Sequence, residues 1–239
     1  MRGPVAEIEL STGDGNRLDA AANGDLCAAA AMVTDRAQVR VVIVSGAGRS
    51  FCEGAAEARG EDGSTDDGVA AIAGIAVPTI ALLQGHTSGL GLALALACDL
   101  RCASRDAQLS VIDPVRGVVA TGGGLARLPR LIGPARATEM ALLGRTLSAA
   151  TALSWGLVTQ VVPRAGLRTT ALRLAKAMAA RGPLGMRYAK EAVSRALDLS
   201  LDDGIRLEQD LYVLLQTTAD RREGVAAFRG RRPPRFHGR

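Results

Sequence analysis

The sequence predicts an α/β fold, and three observations support that prediction. Apolar, β-branched runs at residues 39–44 and 77–83 indicate buried strands. Each run ends in glycines and leads into a segment of small residues. Strand–turn–helix units then repeat along the chain, which is typical of α/β proteins. After residue 180 the pattern changes to long amphipathic helices.

In chain order, the first half begins with a predicted strand at residues 5–10 and a helix at 20–33. The first buried strand follows, and an acidic, glycine-containing stretch at 60–68 is expected to form a mobile loop. After the second buried strand, a helix is predicted to start at the glycines and to cover residues 89–97.

The second half is predicted to contain shorter elements before the helical tail. Ser148 is a predicted N-cap, because a serine hydroxyl accepts a hydrogen bond from the first turn of a helix. The predicted elements are strands at 100–103 and 108–111, helices at 125–132, 135–143 and 149–155, and amphipathic helices at 183–197 and 201–217.

Composition limits the classes of function. A chain of 239 residues with 48% hydrophobic and 22% charged residues is ordinary for a globular enzyme with one sizeable core. The formal net charge is +5, and arginines cluster in the tail. A solvated surface is the main interpretation, and a phosphorylated ligand is the alternative. Nucleic acid is not expected, since no aromatic residues are interleaved with the charge.

Cysteine and histidine usage predicts neither a disulfide framework nor a metal site. Two histidines lie far apart in sequence, so zinc is not expected. The longest apolar window, residues 90–97, is much shorter than the roughly 20 residues of a membrane helix, and no secretory signal is visible. We therefore expect a cytoplasmic protein with reduced thiols. Its cysteines are Cys27, Cys52, Cys98 and Cys102.

The glycine-rich segments after the two buried strands are the main functional signal. They do not form a dinucleotide fingerprint, because Phe51 stands where the third glycine belongs and the glycines at 122–124 lack the spacing. Two strands that end in glycines instead deliver bare backbone N–H groups to one place. Such a pair forms an oxyanion hole, which stabilises a thioester enolate.

The order and spacing of these segments resemble the crotonase superfamily, also called the enoyl-CoA hydratase/isomerase family. Its signature G-x-G-x-x-F-x-x-G-A is present at residues 46–55, and N-G-x-x-x-G-G-G is present with substitutions at 84–91. The resemblance continues in the same order through the segments 97–101, 121–125, 149–158 and 222–228.

This resemblance implies a spiral of stacked ββα units at residues 1–180, with a C-terminal helical oligomerisation region at 181–239. It implies a homotrimer or homohexamer and an acyl-CoA thioester substrate, with no membrane partner. No separate cofactor is expected, because CoA is part of the substrate.

The resemblance also implies site residues. The backbone N–H groups of Ala55 and Leu90 would form the oxyanion hole. The two glutamates of family hydratases map onto Ala93 and Asp113, so one carboxylate remains. A 1,3-proton shift needs one base, which favours isomerisation or a related enolate reaction over classical hydration. The alternative is that Asp113 only begins an Asp-Pro turn. If the carboxylate at position 93 is the only group that is missing, Ala93→Glu adds hydratase activity.

Further positions are candidates for supporting roles. His86 is a possible auxiliary proton shuttle, although a lone histidine is more often structural. Arg116 could act on Asp113 or an acidic acyl group, and a solvent-facing arginine is the favoured alternative. Contacts to CoA are expected from Arg17, Tyr212 and Arg231, the last two across a subunit boundary. The competing function is a non-catalytic acyl-CoA-binding protein of the same fold.

Overall fold

The protein, described here from a computed structural model, is an α/β fold defined for residues 3–56, 67–113 and 117–239. Its strands are β1 (Val5–Leu10), β2 (Val41–Gly46), β3 (Thr79–Leu83), β4 (His86–Ser88), β5 (Leu100–Ser104), β6 (Gln108–Ser110), β7 (Thr146–Ser148) and β8 (Gln160–Val162). Its helices are α1 (Ala20–Thr34), α2 (Asp67–Ala73), α3 (Leu90–Ala97), α4 (Gly124–Ile132), α5 (Pro134–Leu143), α6 (Ala149–Ser154), α7 (Arg164–Ala179), α8 (Pro183–Ala196), α9 (Leu201–Gln216) and α10 (Ala219–Arg229).

The main sheet is parallel and has five strands in the order β1-β2-β3-β5-β8. As the sequence predicts, β2 and β3 are buried along their whole length. They are neighbours, with Val42 paired to Thr79. Because the carboxyl ends of parallel strands lie at one edge of a sheet, the two glycine-rich segments leave from the same edge.

Different helices cover the two faces of this sheet. Val41 and Ile43 point to the face that α7 covers with a row of small and apolar residues. Val42 and Val44 point to the opposite face, where the larger core contains α1, α2 and α3. The alternation follows from the two-residue period of a strand, and it explains why both strands are continuous apolar runs.

A second, smaller sheet connects the segments that follow β3 and β5. Its order is β4-β6-β7, with β4 and β6 parallel and β7 antiparallel to β6. Ser88 pairs with Ser110, and the N–H of Gly89 donates to Ser110 O at 3.2 Å. The chain after β4 therefore runs beside the chain after β6.

Most predicted elements are confirmed, including the N-cap of α6, where Thr151 N donates to Ser148 Oγ at 3.2 Å. The sequence analysis missed β4, β7, β8, α2, α7 and α10. The three strands have three residues each, too few for a two-residue period to be recognised. The predicted loop at 60–68 lies mostly outside the described residues, and its last two residues begin α2.

The C-terminal helices attach to the core through Lys190 on α8. Its ammonium donates to Ile75 O at 2.7 Å and Val77 O at 3.1 Å, and it lies 2.8 Å from Asp99 Oδ2. No residue of α8 is fully buried, so the helix is amphipathic but only partly covered. The division of the chain near residue 180 stays a prediction. None of the helices within the described ranges is long and apolar enough to cross a membrane.

Candidate active site

The first glycine loop, residues 46–55, leaves β2 in a tight turn. A β-carbon on Gly46 would lie 2.3 Å from Phe51 O, so only glycine allows the loop to fold back this closely. Phe51 is fully buried beneath the turn. The side chain of Asn16 donates to Ala47 O at 2.8 Å and to Ser50 O at 2.9 Å, which holds the loop against the start of the chain.

The second glycine loop, residues 84–91, is hydrogen-bonded directly to the first. Phe51 N donates to Gln84 O at 2.8 Å, and the Gln84 side chain donates back to Gly46 O. Farther along, Ser88 N donates to Cys52 O at 3.1 Å. Gln84 stands where the family signature has asparagine, and it still joins the ends of the two central strands.

The N–H of Ala55 points away from the segment around Leu18, which lies beside it. Leu18 N donates to Gly54 O at 2.8 Å, and Ala56 N donates to Leu18 O at 3.0 Å. In this parallel bridge Leu18 engages the residues on either side of Ala55, so the polar groups of Ala55 itself point the opposite way. The arrangement leaves this N–H available to an oxygen of a ligand.

The N–H of Leu90 is the first of α3. The first four N–H groups of a helix have no partner within the helix, and they carry the positive end of the helix dipole. Gly54 lies close to this group, because a β-carbon on Gly54 would be 3.9 Å from Leu90 N. The residue that precedes Ala55 is therefore in contact range of the Leu90 N–H group.

Asp113 lies beside this pair, just after β6. A β-carbon on Gly89 would be 3.2 Å from both carboxylate oxygens of Asp113. Asp113 Oδ2 is buried and has no hydrogen-bond partner in the part of the chain that the structure describes. An unpaired buried carboxylate oxygen is costly, so it marks a place where a ligand can supply the missing contact. The backbone of Asp113 is also engaged, because Val118 N donates to its carbonyl at 3.1 Å.

The first turn of α3 carries no carboxylate to match Asp113. Ala93 is buried, and its β-carbon would lie 3.2 Å from a β-carbon on either Gly122 or Gly124. Gly122 lies in the turn before α4, and Gly124 is the first residue of α4, so this segment packs against α3. The structure thus places the Asp113 carboxylate against Gly89, the residue before Leu90, and an alanine at position 93.

Glu53 lies in a cluster of polar side chains that the sequence analysis missed. Its carboxylate accepts from Ser50 Oγ at 2.8 Å and from the Arg17 guanidinium at 3.4 Å. The hydrogen bond from Ser50, and then the charges of Arg17 and His86, hold the pKa of Glu53 below its usual range, against the opposing effect of partial burial. Glu53 occupies a variable position of the family signature, so the pattern gave no signal for it.

Three other predicted site residues, His86, Tyr212 and Arg231, have no described side-chain contact with Ala55 or Leu90. His86 is exposed at the start of β4, beside Glu53, whereas Leu90 follows the end of that strand. Tyr212 on α9 and Arg231 after α10 are exposed, and no described contact joins either of them to Ala55 or Asp113. Both were expected to act across a subunit boundary, which one chain does not test. Arg116 lies outside the described residues.

The described residues contain no group of three or more histidine, cysteine or acidic side chains that could hold a metal ion.

Comparison with known proteins gives consistent results. The family model described as enoyl-CoA hydratase/isomerase matches residues 1–239. The chain is 36% identical over 230 residues to mouse mitochondrial enoyl-CoA hydratase domain-containing protein 2, covering 90% of this chain and 78% of that protein. It is 33% identical over 252 residues to carnitinyl-CoA dehydratase of Proteus mirabilis, covering 100% and 97%.

The solved structures agree with the sequence comparisons. The crystal structure of an enoyl-CoA hydratase from Bacillus anthracis matches with a TM-score of 0.94 at 34% identity, covering 99% of this chain and 96% of that one. This match confirms the crotonase-like fold with its helical C-terminal region. The chain belongs to the enoyl-CoA hydratase/isomerase family.

Proposed function

We propose that the protein is an acyl-CoA isomerase of this family, in which Asp113 moves a proton and the N–H groups of Ala55 and Leu90 hold the thioester enolate. The single observation that carries the proposal is the position of the Asp113 carboxylate. It lies against Gly89, next to the Leu90 donor, with one buried oxygen that lacks a partner among the described residues. The relatives named as acting on CoA thioesters support the choice of substrate.

The proposed reaction conserves every atom of the substrate. With a 3-enoyl thioester, the Asp113 carboxylate takes a proton from C2, and the electron pair of that C–H bond delocalises onto the thioester oxygen. The two N–H groups stabilise this oxygen, because they are fixed in place before charge develops on it. The carboxyl group then returns the proton to C4, which leaves the double bond between C2 and C3. No water is consumed, so a second carboxylate is not required.

The test is a panel of 2-enoyl-CoA and 3-enoyl-CoA thioesters assayed with the wild type and with Asp113→Ala. We expect the wild type to convert 3-enoyl-CoA to 2-enoyl-CoA and the variant to lose this activity. Equal turnover by the two proteins would remove Asp113 from the mechanism. Efficient addition of water to 2-enoyl-CoA by the wild type would replace isomerisation with hydration.

A non-catalytic acyl-CoA-binding protein is the second candidate, and the alanine at position 93 is the observation that favours it. A site that keeps the oxyanion donors but lacks one catalytic carboxylate could serve for binding alone. Calorimetry with the same acyl-CoA panel distinguishes the two functions. Tight binding without turnover of any thioester would support the binding protein and contradict the enzyme.

Contacts to CoA are proposed for three basic or aromatic residues. Arg17 is partly exposed and is held by Glu53 near the first glycine loop, where it could meet a phosphate. Tyr212 and Arg231 are exposed on the C-terminal region, and we propose that they reach the CoA of a neighbouring subunit. Substitution of Arg17 by alanine should raise the Kd for CoA, and an unchanged Kd would exclude this role.

The proposed assembly is a homotrimer or a homohexamer formed through the C-terminal helices. A groove of about 520 Å³ lies between α8 and α9. Apolar side chains are exposed around it, including Val193 (71%), Leu201 (80%) and Tyr212 (61%). Exposed apolar surface of this extent is typical of an interface, and oligomers of identical chains form closed symmetric assemblies.

Light scattering of full-length protein tests this assembly. Leu201→Glu places a charge on the exposed face and should dissociate the oligomer without unfolding the chain. Met32→Glu is the matched control, because Met32 is also an exposed apolar side chain (49%) but lies on α1. A wild-type monomer that binds CoA would contradict the proposal.

A further inference from the structure

The corner between α3 and the turn at residues 122–124 is lined by apolar side chains from separate elements. A β-carbon on Gly122 would lie 2.8 Å from Leu90 Cδ1, 3.2 Å from Ala93 Cβ and 3.5 Å from Val69 Cγ2. Val69, on α2, is fully buried, and Ala93 and Leu90 are 1% and 7% exposed. The three side chains therefore converge on one point and leave little free space between the helix and the turn.

The side chains of Leu90, Ala93 and Val69 at this corner offer no polar group to a water molecule. A buried water is stable when two to four polar groups surround it. The first turn of α3 instead presents leucine, glycine, leucine and alanine, at residues 90–93. The three atoms nearest to a β-carbon on Gly122 are carbons of Leu90, Ala93 and Val69, and the Gly122 carbonyl accepts from the Arg127 guanidinium at 2.8 Å.

Leu90 serves the site through two different groups. Its backbone N–H, at the start of α3, lies near Gly54 and belongs to the proposed oxyanion hole. Its side chain extends to the turn at Gly122, where it packs beside Ala93. The residue that would hold the enolate oxygen thus also closes the apolar corner next to it. Asp113 lies against Gly89, the residue before Leu90.

We infer that Leu90 is a specificity-determining residue, whose side chain closes this corner against water and restricts the enzyme to 3-enoyl thioesters. The inference rests on the proposed function, because it explains why the enolate takes its proton back from Asp113. Hydration needs a water molecule beside the acyl chain together with a group that activates it. With the corner filled by carbon atoms, the dienolate is protonated at C4, and no water is held there to add to C3 of the resulting 2-enoyl thioester.

The same packing changes the outcome expected for Ala93→Glu. Ala93 is packed against Gly122 and Gly124. A β-carbon added to either glycine would lie 3.2 Å from the β-carbon of Ala93. A glutamate adds four heavy atoms and a charge to this space, and a buried carboxylate without partners is strongly disfavoured. The single substitution should therefore not create a hydratase while the Leu90 side chain fills the adjoining space.

The experiment compares Leu90→Ala, Ala93→Glu and the double variant Leu90→Ala/Ala93→Glu with the wild type. Two rates are measured on each protein: conversion of 3-enoyl-CoA to 2-enoyl-CoA, and addition of water to 2-enoyl-CoA. We expect the ratio of hydration to isomerisation to rise at least about tenfold in the double variant, and to stay near the wild-type value in Ala93→Glu. The N–H of residue 90 is present in every variant.

Leu94→Ala is the matched control, because Leu94 is a fully buried leucine of the same helix and is not among the three side chains nearest to a β-carbon on Gly122. It should lower the thermal stability and leave the ratio unchanged, which separates loss of packing from opening of the corner. If the double variant does not fold, Leu90→Ser provides the test. A hydroxyl can hold a water in the corner, so the ratio should rise with this variant too.

The outcomes separate this inference from the proposed function. An equal rise of the ratio in Ala93→Glu and in the double variant would overturn the role of Leu90, as would an unchanged ratio in a folded double variant. A wild type that isomerises no 3-enoyl-CoA would overturn the proposed function. In that case, the appearance of hydration only in the double variant would still support the closed corner, and its absence would refute it.

Discussion

The carboxylate of Asp113 lies against Gly89, with both oxygens 3.2 Å from the position where a side chain of Gly89 would begin. Gly89 has φ +53° and directly precedes the Leu90 donor. A side chain at this position would be strained and would crowd the acid away from the donor. The absence of a side chain at Gly89 therefore allows the proton-transfer group and the oxyanion donor to lie side by side.

Asp113→Asn should lower turnover about 10²–10⁴-fold and leave the Kd for acyl-CoA nearly unchanged. Asparagine keeps the shape of the side chain but cannot take up a proton at neutral pH. Steady-state kinetics and calorimetry measure the two quantities. Asp106→Asn is the control, because Asp106 is an exposed carboxylate that pairs with Arg164. A loss of activity in both variants, or in neither, would contradict the assignment of Asp113.

Gly91→Ala should destabilise the protein by roughly 1–3 kcal/mol and reduce activity, because the two glycine loops are in contact there. A β-carbon on Gly91 would lie 2.2 Å from Cys52 O. Denaturant unfolding measures the free energy. Gly24→Ala is the matched control within α1, where a β-carbon meets nothing within 4 Å, and it should stabilise the protein by up to about 1 kcal/mol. Equal effects of the two substitutions would contradict the contact.

Sequence analysis predicted those features of the site that depend on local patterns. Glycines that follow β-branched runs identify the two loops, and the resemblance to the family implies Asp113. The packing of Leu90 and Val69 at Gly122 could not be predicted, because α2 reaches Gly122 only through tertiary packing. The arrangement around Glu53 also depends on contacts between segments distant in sequence, since Arg17 lies 36 residues before it.

Glu53→Gln should reduce stability by about 1 kcal/mol at pH 7, because the carboxylate accepts hydrogen bonds from Ser50 and Arg17. The pKa of Glu53 is lowered in the folded protein, mainly by Ser50, so its charged form stabilises the fold above the ordinary glutamate pKa. This contribution is lost as pH falls through the lowered pKa.

Urea unfolding between pH 7 and pH 3 checks the prediction for Glu53. The difference between wild type and variant should be present at neutral pH and should disappear in acid. Glu9→Gln, at an exposed position of β1, should change the stability by less than about 0.5 kcal/mol. A difference between wild type and Glu53→Gln that grows in acid would contradict the direction of the pKa shift.

Cys27 should react with iodoacetamide before the other thiols. Burial raises the pKa of Cys52 and of Cys98 to about 12, and it also raises the pKa of Cys102, so these thiols remain protonated and inert. Cys27 is only partly buried. Mass spectrometry after labelling at pH 8 should find one modified site in the native protein and four after unfolding. Rapid labelling of Cys52 would mean that the first glycine loop opens.

The most direct test of the single-carboxylate mechanism is the product formed from 3-enoyl-CoA in H₂¹⁸O. Wild-type protein should yield 2-enoyl-CoA with unchanged mass and no hydroxyacyl-CoA, because Asp113 returns the proton and no water is added. Asp113→Asn should yield no product over the same period. A hydroxyacyl-CoA that contains ¹⁸O, or equal isomerisation by the wild type and Asp113→Asn, would contradict the mechanism.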